Sequence, residues 1–560
     1  MGIIQNLYPS DRWQPCQPLI AIPIPISFLS GVSRMSSKKS FLFIGYSLAF
    51  ALCLGITRMS FGSVTMPNIF GDHMVLQQNQ KIEIWGWALP DEKITVNLEG
   101  QTAQTVASKT GTWRVTLPPR IADGKSLVMT VMGSNTIEFK DIKMGEVWLC
   151  SGQSNMAWPL SNAFDADLDT LTAKFPDIRL ISVPQVGTQE QQKDFKGNWE
   201  LCTPDSAKSF SAVGFYFGRQ LHQVLDVPVG LIDNAWGGSA CEAWIARDLL
   251  SKDQRYDELL DRWKDIETNY DFDKQVAQYN AKLVKWKTAA KKARDNGKTI
   301  PRRPRAPRNQ LTGQHRPGNL YNGVLKPIIG FPIQGVIWYQ GEANSGRAYQ
   351  YRDLFPLMIQ NWRDEWGIGD FAFYWVQLAD FMEEGEEPAE SNWAELREAQ
   401  TMTLSKLPNT GQAVIIDIGE SNNIHPRNKH DVGKRLARWA LAEQYGVKIA
   451  YRSPSYHSMI IQDSKIIVTF DHVGTGLKGH DYKEVKGFTI AADNGEFVNA
   501  QARILGKDRV EVWSDQITKP KAVRYAWANN PICNLKSMGG LPATPFRTDD
   551  RPGLTINSKK

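Results

Sequence analysis

Short apolar runs alternate with helical stretches through the middle of the chain, between Lys143 and Tyr445. Apolar runs of this length are typical of strands buried on both faces, and intervening helices connect such strands in parallel. We therefore predict an α/β fold with a parallel sheet. The predicted strands are Val147–Cys150, Val229–Ile232, Gly335–Tyr339, Phe373–Leu378 and Ala413–Ile418, and the predicted helices are Phe215–Val224, Leu354–Glu365 and Asp431–Tyr445.

The regions on either side of this sheet have a different pattern. Residues 63–140 contain short alternating runs, such as Lys81–Trp87 and Lys93–Leu98, separated by turn residues, which indicates a small N-terminal β-domain. We predict a central domain at 141–445 and a C-terminal β-rich domain at 446–560. Strands expected in the latter are Lys465–Phe470, Phe488–Ala491, Val510–Ser514 and Ala522–Ala528.

A helical insertion is predicted at about residues 250–315 of the central domain. The arginine-rich tract Pro301–Arg308 ends it. A solvated loop is the plainer interpretation of this tract, and contact with an acidic glycan is the alternative. The apolar face of the predicted helix carries Val276, Tyr279, Leu283 and Trp286.

Residues 1–62 have the features of a leader. Lys38 and Lys39 precede an apolar run at 41–56, which has the length of a signal peptide and is short for a membrane span. Met35 is the expected true start. We expect export to the periplasm or outside the cell, with no stable membrane insertion after cleavage; a membrane anchor is the alternative.

The charge of the chain gives no reason to expect a nucleic-acid partner. The formal net charge is +6, and residues 1–62 contribute +4 of it through five basic residues and one acidic residue, which leaves +2 for the rest. A chain this close to neutral lacks the basic surface that nucleic acids require.

The sequence predicts neither a metal nor another cofactor. A glycine-rich match at 474–479 is followed by a predicted strand, whereas a dinucleotide site needs a helix there. The cysteines beyond the leader show no CxxC spacing, which argues against a zinc site, and one disulfide is compatible with export. They are Cys150, Cys202, Cys241 and Cys533.

Motifs with polar and glycine residues follow four of the predicted strands. The carboxyl ends of parallel strands meet at one edge of a sheet, where α/β proteins place their chemistry. Four such motifs in order are a much stronger signal than any one alone. They are Gly152-Gln153-Ser154-Asn155-Met156, Trp236-Gly237-Gly238, Trp338-Tyr339-Gln340-Gly341-Glu342-Ala343-Asn344 and Asn423-Ile424-His425-Pro426.

The residue types in these motifs fit nucleophilic catalysis. A serine at a tight strand-to-helix turn, such as Ser154, presents its hydroxyl at the sheet edge, and its N–H can face an oxyanion. The Gly237–Gly238 pair offers unobstructed N–H donors. A serine nucleophile needs a base with a pKa near neutrality. Of the eight histidines, His425 is the one at such a position.

The motifs, in this order, resemble those of the SGNH (GDSL-like) hydrolases: Ser154, the Gly237–Gly238 pair, Asn344 and His425. Over about residues 64–552 the chain resembles bacterial sialate O-acetylesterases. This resemblance implies a flavodoxin-like three-layer α/β/α core, a serine mechanism and no metal. Its most specific strings are GEVWLCSGQSNMAWPL (145–160), IWYQGEAN (337–344), IHPRNKHDVGKRLA (424–437) and GLPATPFRTDD (540–550).

One position departs from the SGNH pattern. Many of these enzymes carry an aspartate three residues before the histidine, where this chain has Asn422. Glu342 resembles the glutamate that completes the triad in related acetyl-carbohydrate esterases, and we expect its carboxylate to contact the ring of His425. Asp417 and Glu420 are the rival acids, and a serine–histidine dyad is the remaining alternative.

The resemblance implies an exported serine esterase that removes acetyl groups from sugar hydroxyls through an acetyl-enzyme, with O-acetylated sialic acid as the first candidate substrate. An acetylesterase for a plant polysaccharide such as acetylated xylan, and a non-catalytic glycan-binding protein, are the alternatives. Ser154 is expected to be the nucleophile, His425 the base and Glu342 the carboxylate that completes the triad. The expected oxyanion donors are Ser154, Gly237, Gly238 and Asn344. Gln153 and Gln340 are expected to bind sugar hydroxyls.

Overall fold

The computed structural model describes residues 63–481, 484–493 and 495–558. The predicted leader, with its signal peptide, lies outside these residues. Within these ranges, every helix is too short or too polar to span a bilayer.

The N-terminal β-region is built from short strands that pair antiparallel, except the first, which pairs in parallel with a strand that continues into the central sheet. Side chains alternate between buried and exposed along its strands, as expected for strands with one face toward a core. Its strands are β1 (Val75–Gln77), β2 (Ile82–Trp87), β3 (Lys93–Leu98), β4 (Gln101–Val106), β5 (Thr112–Leu117) and β6 (Leu127–Met132).

The central sheet is built from β7 (Thr136–Gly152), β8 (Phe175–Ser182), β9 (Glu200–Cys202), β10 (Val229–Asp233), β11 (Gly335–Tyr339), β12 (Ala372–Val376) and β13 (Thr410–Ala413). Their order is β13-β12-β11-β7-β10-β8-β9. Neighbouring strands are parallel, except that β9 is antiparallel to β8. The α/β prediction is confirmed, and the sheet is mixed.

Helices pack on both faces of this sheet because its strands are apolar on both sides. The helices are α1 (Ala166–Leu171), α2 (Pro204–Ser209), α3 (Ala212–Leu225), α4 (Arg247–Leu250), α5 (Asp257–Asn269), α6 (Phe272–Asp295), α7 (Ala348–Trp366), α8 (Asn392–Lys406) and α9 (Lys429–Glu443). Leu149 and its like-facing neighbours join the core with α7 and α8, whereas Trp148 and its neighbours join the core with α3 and α9.

The last predicted strand of the sheet is misplaced. The strand ends at Ala413 and does not run on to Ile418. Val414 and Ile416 instead enter the core of the C-terminal β-region, and Ile415 enters the core beneath α3 and α9. The run is apolar because it is buried between two cores, which a periodicity argument cannot distinguish from a buried strand.

The insertion contains the helices α5 and α6, and α6 carries the predicted apolar positions. Only Ala290 of α6 is fully buried. The arginine-rich tract lies beside α6. Trp286 Nε1 donates to the Pro301 carbonyl (2.7 Å), and the Arg303 guanidinium lies 5.8 Å from the centre of the Trp286 indole.

The C-terminal β-region consists of small antiparallel sheets around its own apolar core. The predicted strand Phe488–Ala491 is observed with the same bounds. Its strands are β14 (Ser455–Gln462), β15 (Lys465–Asp471), β16 (Leu477–Gly479), β17 (Phe488–Ala491), β18 (Phe497–Asn499), β19 (Gln501–Leu505), β20 (Arg509–Trp513), β21 (Ala522–Tyr525), β22 (Leu535–Ser537) and β23 (Phe546–Arg547).

Candidate active site

The turn that carries Ser154 begins where β7 ends, at Gly152. The φ of Gly152 is +134°, and a Cβ there would lie 2.3 Å from the Tyr339 carbonyl oxygen, so that only glycine fits. The next N–H, of Gln153, donates to the same oxygen at 2.9 Å. This close approach to β11 turns the chain and leaves Ser154 partly exposed at the carboxyl edge of the sheet.

His425 lies beside Ser154. Its Nε2 is 2.8 Å from the Ser154 Oγ, although the two residues are 271 positions apart. Asn423 shapes the loop by accepting from the His425 N–H (3.0 Å) and donating to the His425 carbonyl (2.8 Å). The Trp158 indole stacks on the imidazole, with ring centroids 5.0 Å apart and 18° between the planes. The structure therefore brings the predicted nucleophile and base together.

The environment of His425 favours the neutral imidazole. Burial lowers its pKa, and the nearby Lys429 ammonium lowers the pKa further. A neutral ring can accept the Ser154 proton on Nε2 if its own proton is on Nδ1. Among the described residues, no side chain or carbonyl forms a hydrogen bond with that Nδ1.

The expected contact between Glu342 and the His425 ring is not found in the described part of the chain, which is a correction to our prediction. The Glu342 Oε1 accepts a hydrogen bond from Asn155 Nδ2 at 2.6 Å instead. Burial raises the pKa of Glu342. Its carboxylate faces the residue after the nucleophile because Asn155 offers it a buried donor there.

Neither rival acid reaches the ring. Asp417 is bound by Arg435 at 2.6 and 2.9 Å and by Lys536 at 2.8 Å. Glu420 accepts from the Arg427 N–H at 2.7 Å and from its guanidinium at 3.1 Å. Both carboxylates are thus already paired with cations, and of the alternatives weighed above the geometry corresponds to the dyad.

Three backbone N–H groups at the site have no hydrogen-bond acceptor among the described residues: those of Ser154, Gly237 and Gly238. The pair of glycines lies against the serine, since a Cβ on Gly237 would be 3.4 Å from the Ser154 Cβ. Such unpaired donors beside a nucleophile are what an oxyanion hole requires.

Asn344, the fourth predicted donor, is occupied elsewhere. It is buried, its Nδ2 donates to Glu242 at 2.9 Å, and its Oδ1 accepts from the Cys241 N–H at 2.9 Å. Glu242 also accepts from Arg347 at 2.5 Å, in a buried ion pair. The Asn344 amide therefore connects buried groups behind the site. It points there because the charged Glu242 carboxylate is a strong hydrogen-bond acceptor.

The two glutamines predicted to bind sugar differ. Gln340 is fully buried: its Nε2 donates to the Ser239 carbonyl (3.0 Å) and to Asn344 Oδ1 (2.7 Å), and its Oε1 accepts from the Tyr351 hydroxyl (2.9 Å). It has no group left for a ligand, which corrects that assignment. Gln153 makes long contacts with its Oε1 only, and its Nε2 has no partner within the described residues.

Sequence reasoning missed three residues of the site: Asn155, Trp158 and Lys429. Asn155 and Trp158 belong to the serine string, and Lys429 follows the histidine by four positions. Their place in the motif strings was the available signal. Lys429 donates to Asn155 Oδ1, so that Asn155 stands between a buried ammonium and the Glu342 carboxylate.

The end of the insertion lies against the glycine pair. A Cβ on Gly238 would be 3.3 Å from Gln314 Nε2. Arg262 of α5 carries a cationic group that interacts electrostatically with Arg347: burial lowers the pKa of Arg262 and Arg347 lowers it further. Burial also lowers the pKa of His315, the residue after Gln314, which favours its neutral form. Arg262 Nε is buried without a hydrogen-bond partner.

A cavity of about 730 Å³ lies elsewhere, between residues 385–388 and strands of the C-terminal β-region, with Trp513 and Trp527 in its lining. Neither Ser154 nor His425 lines it. We assign the site from the serine–histidine geometry, since a cavity without a nucleophile or a base offers no chemistry of its own.

The cysteines and the metal-binding residue types add no further centre in the described ranges. Cys150, Cys202, Cys241 and Cys533 are free thiols, so the disulfide considered above is not formed. No group of three or more His, Cys, Asp or Glu side chains there has the arrangement to hold a metal ion.

Known proteins resemble this chain over most of its length. A family model described as carbohydrate esterase, sialic acid-specific acetylesterase, matches residues 144–280 and 313–442. The sialate O-acetylesterase of Mus musculus is 30% identical over 522 residues, which covers 85% of this chain and 92% of that protein. The sialate O-acetylesterase of Homo sapiens is 26% identical over 536 residues, covering 87% and 93%.

A solved structure shares the fold. The crystal structure of a carbohydrate acetylesterase from Xanthomonas citri superposes with a TM-score of 0.74 and is 36% identical, covering 87% of this chain and all of that one. The similarity therefore extends over the flanking β-regions as well as the central sheet.

Proposed function

Because this chain belongs to the sialate O-acetylesterase family and is a carboxylic ester hydrolase for O-acetylated sugars, we propose that its substrate is O-acetylated sialic acid and that it works through an acetyl-enzyme on Ser154. The observation that carries the mechanism is the 2.8 Å contact between Ser154 Oγ and His425 Nε2. The roles of the individual residues follow from the groups around that contact.

His425 takes the proton of Ser154 as Oγ forms a bond to the acetyl carbonyl carbon. The tetrahedral intermediate then collapses, the bond to the sugar oxygen breaks, and His425 gives its proton to that oxygen. Water enters, loses a proton to His425 and attacks the acetyl-serine. Acetate leaves, and the proton returns to Ser154 Oγ.

The negative charge on the carbonyl oxygen is stabilised by the N–H groups of Ser154, Gly237 and Gly238. One such donor typically contributes about 3 kcal/mol to the transition state. These groups make no hydrogen bond with the described residues, so that no existing bond has to break when the charge develops.

His425 works without a carboxylate on Nδ1 in this proposal. The Trp158 ring stacks on the imidazole, and Asn423 holds the backbone of His425 through two hydrogen bonds. A dyad lacks the nearby counter-charge that stabilises the imidazolium in a triad. The lowered pKa of His425 keeps the base unprotonated at neutral pH.

The insertion supports an acidic sugar as the substrate. Arg262, in α5 of the insertion, carries a guanidinium that interacts electrostatically with Arg347 and Glu242, and Gln314 at the end of the insertion lies next to Gly238. Arg262 forms no ion pair within bonding distance among the described residues, its Nε is buried without a hydrogen-bond partner, and a guanidinium pairs well with a carboxylate such as that of sialic acid. Gln153 Nε2 is available for a sugar hydroxyl.

Acetate release tests this proposal. The chain should release acetate from O-acetylated sialic acid faster than from acetylated xylan, and Ser154→Ala should abolish both activities while the thermal unfolding midpoint stays the same. Preference for xylan would favour the plant-polysaccharide alternative. Activity of Ser154→Ala within a few-fold of the unmodified chain would contradict the nucleophile assignment.

The proposal extends to architecture and export. Helices on both faces of the central sheet support a flavodoxin-like three-layer core of the SGNH type, with domains at 63–140, 141–445 and 446–560. The apolar run at 41–56 supports a signal peptide and a periplasmic or secreted protein. Sequencing the amino terminus of the exported protein would test this, since it should begin near residue 62.

A further inference from the structure

Lys429 is a fully buried cation close to the reacting groups. It is the first residue of α9. Three conditions disfavour an ammonium there: it is removed from water, it is at the positive end of a helix dipole, and it lacks a directly bonded carboxylate. Burial lowers its pKa to about 7, while the charge of Glu342 acts in the opposite direction. The rings of Tyr339 and Trp158, 5.0 and 5.9 Å from the Lys429 Nζ, offset part of this cost. A charge kept in such a place still needs an explanation.

Asn155 links this lysine to both halves of the site. Its Oδ1 accepts from the Lys429 ammonium, and its Nδ2 donates to Glu342 Oε1 at 2.6 Å and to the Ile424 carbonyl at 3.0 Å. The orientation of the amide follows from its partners, since an ammonium can only donate and a carbonyl can only accept.

These bonds connect neighbours of the two reacting residues. Asn155 directly follows Ser154, and Ile424 directly precedes His425. The bond from Asn155 to the Ile424 carbonyl therefore fixes the distance between the serine turn and the histidine loop. Lys429 holds the other end of the same amide, so that the side chain cannot rotate away from that carbonyl.

We propose that Lys429 is a positioning residue: through Asn155 it fixes the histidine loop against the serine turn, and its positive charge keeps the His425 imidazole in the neutral form that can act as a base. This inference rests on the proposed function, because it assigns a role within the same site. Glu342 is then the counter-charge of Lys429, and two hydrogen bonds through the Asn155 amide connect the two charged groups.

The charges around the pair determine the expected sign. The Lys429 Nζ lies 5.9 Å from the centre of the Trp158 ring, and that ring stacks on the His425 imidazole at 5.0 Å. Glu342 and Glu420 act on Lys429, and Lys429 is the charged group that acts on His425. Removing the ammonium should stabilise the imidazolium, so the pKa of His425 should rise. The base is then protonated up to a higher pH, and the acidic limb of the kcat/KM profile should move to higher pH.

The test compares Lys429→Met with Lys434→Met. Methionine keeps the length of the side chain without its charge, and Lys434 is an exposed lysine on the same helix. With p-nitrophenyl acetate, Lys429→Met should move the acidic limb upward and lose about tenfold in kcat/KM on that limb for each pH unit of displacement. Lys434→Met should leave the profile in place.

A second readout does not need activity. The chemical shift of His425 Cε1, assigned with His425→Gln and followed by NMR against pH, should show a higher midpoint in Lys429→Met, also in a Ser154→Ala background. An unmoved midpoint together with an unmoved limb would overturn the role of Lys429. Residual activity of Ser154→Ala alone would instead overturn the proposed function, so that the two failures are distinguishable.

A double variant keeps the proposal testable if Lys429→Met does not fold. Lys429→Met leaves the Glu342 carboxylate buried without a counter-charge, which can cost several kcal/mol. Lys429→Met combined with Glu342→Gln removes both charges and should fold, yet it should still show the shifted limb. An unshifted limb in the folded double variant would also overturn the proposal.

Discussion

Replacing Glu342 by glutamine tests whether a carboxylate acts on the catalytic histidine directly. A triad carboxylate contacts the histidine ring, and its loss costs on the order of 10⁴-fold in rate, or about 5.5 kcal/mol. In this structure the carboxylate bonds to Asn155 instead, at 2.6 Å, and does not reach His425. The variant should therefore lose much less.

The expected loss follows from the single bond that changes. A hydrogen bond to a charged group contributes about 1.5–3 kcal/mol, and a neutral one about 1 kcal/mol. The glutamine oxygen can still accept from Asn155, so the variant loses the difference, roughly 0.5–2 kcal/mol. This corresponds to about a 2- to 30-fold decrease in kcat/KM.

The assay is hydrolysis of p-nitrophenyl acetate by Glu342→Gln, with Asp417→Asn and Glu420→Gln as controls for the other two acids. Circular dichroism should show that each variant is folded. A decrease of about 10⁴-fold in folded Glu342→Gln would refute the dyad and restore Glu342 as a triad member. The same decrease in either control would identify that acid instead.

Three further changes have distinct expected outcomes. Gly152→Ala should lower the thermal midpoint and abolish activity, because a Cβ there would overlap the β11 backbone at a φ that costs about 1–3 kcal/mol; Gly237→Ala, with an ordinary contact distance, should keep its midpoint, and equal midpoints for the two variants would count against this reasoning. Trp158→Ala should reduce kcat about tenfold with little change in KM, since it removes the ring stacked on His425, and an effect on KM alone would indicate substrate contact. Arg262→Met should raise KM for O-acetylated sialic acid several-fold and leave p-nitrophenyl acetate hydrolysis unchanged, because only the sugar carries a carboxylate; an equal effect on both substrates would argue against a carboxylate subsite.

The sequence allowed the sheet and its edge chemistry to be predicted, because both depend on local pattern. Gly335–Tyr339 is a strand with the predicted bounds, and the motifs after it and after β7 meet as parallel strands require. The helix α8 was not predicted. Its buried residues include Glu395, Arg397 and Gln400, which bond to neighbouring segments and remove the apolar periodicity of a surface helix.

The polar partners inside the site could not be predicted in the same way. Asn344, Gln340 and Glu342 all stand in one motif, and sequence order cannot say which of them faces the substrate. The structure turns the first two toward buried groups and the third toward Asn155. Each choice involves at least one partner about a hundred or more positions away, Ser239 for Gln340, Glu242 for Asn344 and Asn155 for Glu342, which a reading of local spacing does not include.

The continuity of β7 ties the hydrolytic centre to the other end of the same strand. Residues 136–142 of β7 pair with β6, residues 143–145 pair with β1, and residues 146–152 pair with strands of the central sheet. A shortened chain beginning at residue 141 would expose the backbone groups of β7 that β1 covers, and such an uncovered edge invites pairing with other chains. We therefore expect the N-terminal β-region to protect β7 from pairing with other chains. Its removal should reduce the solubility of the protein more than its turnover rate.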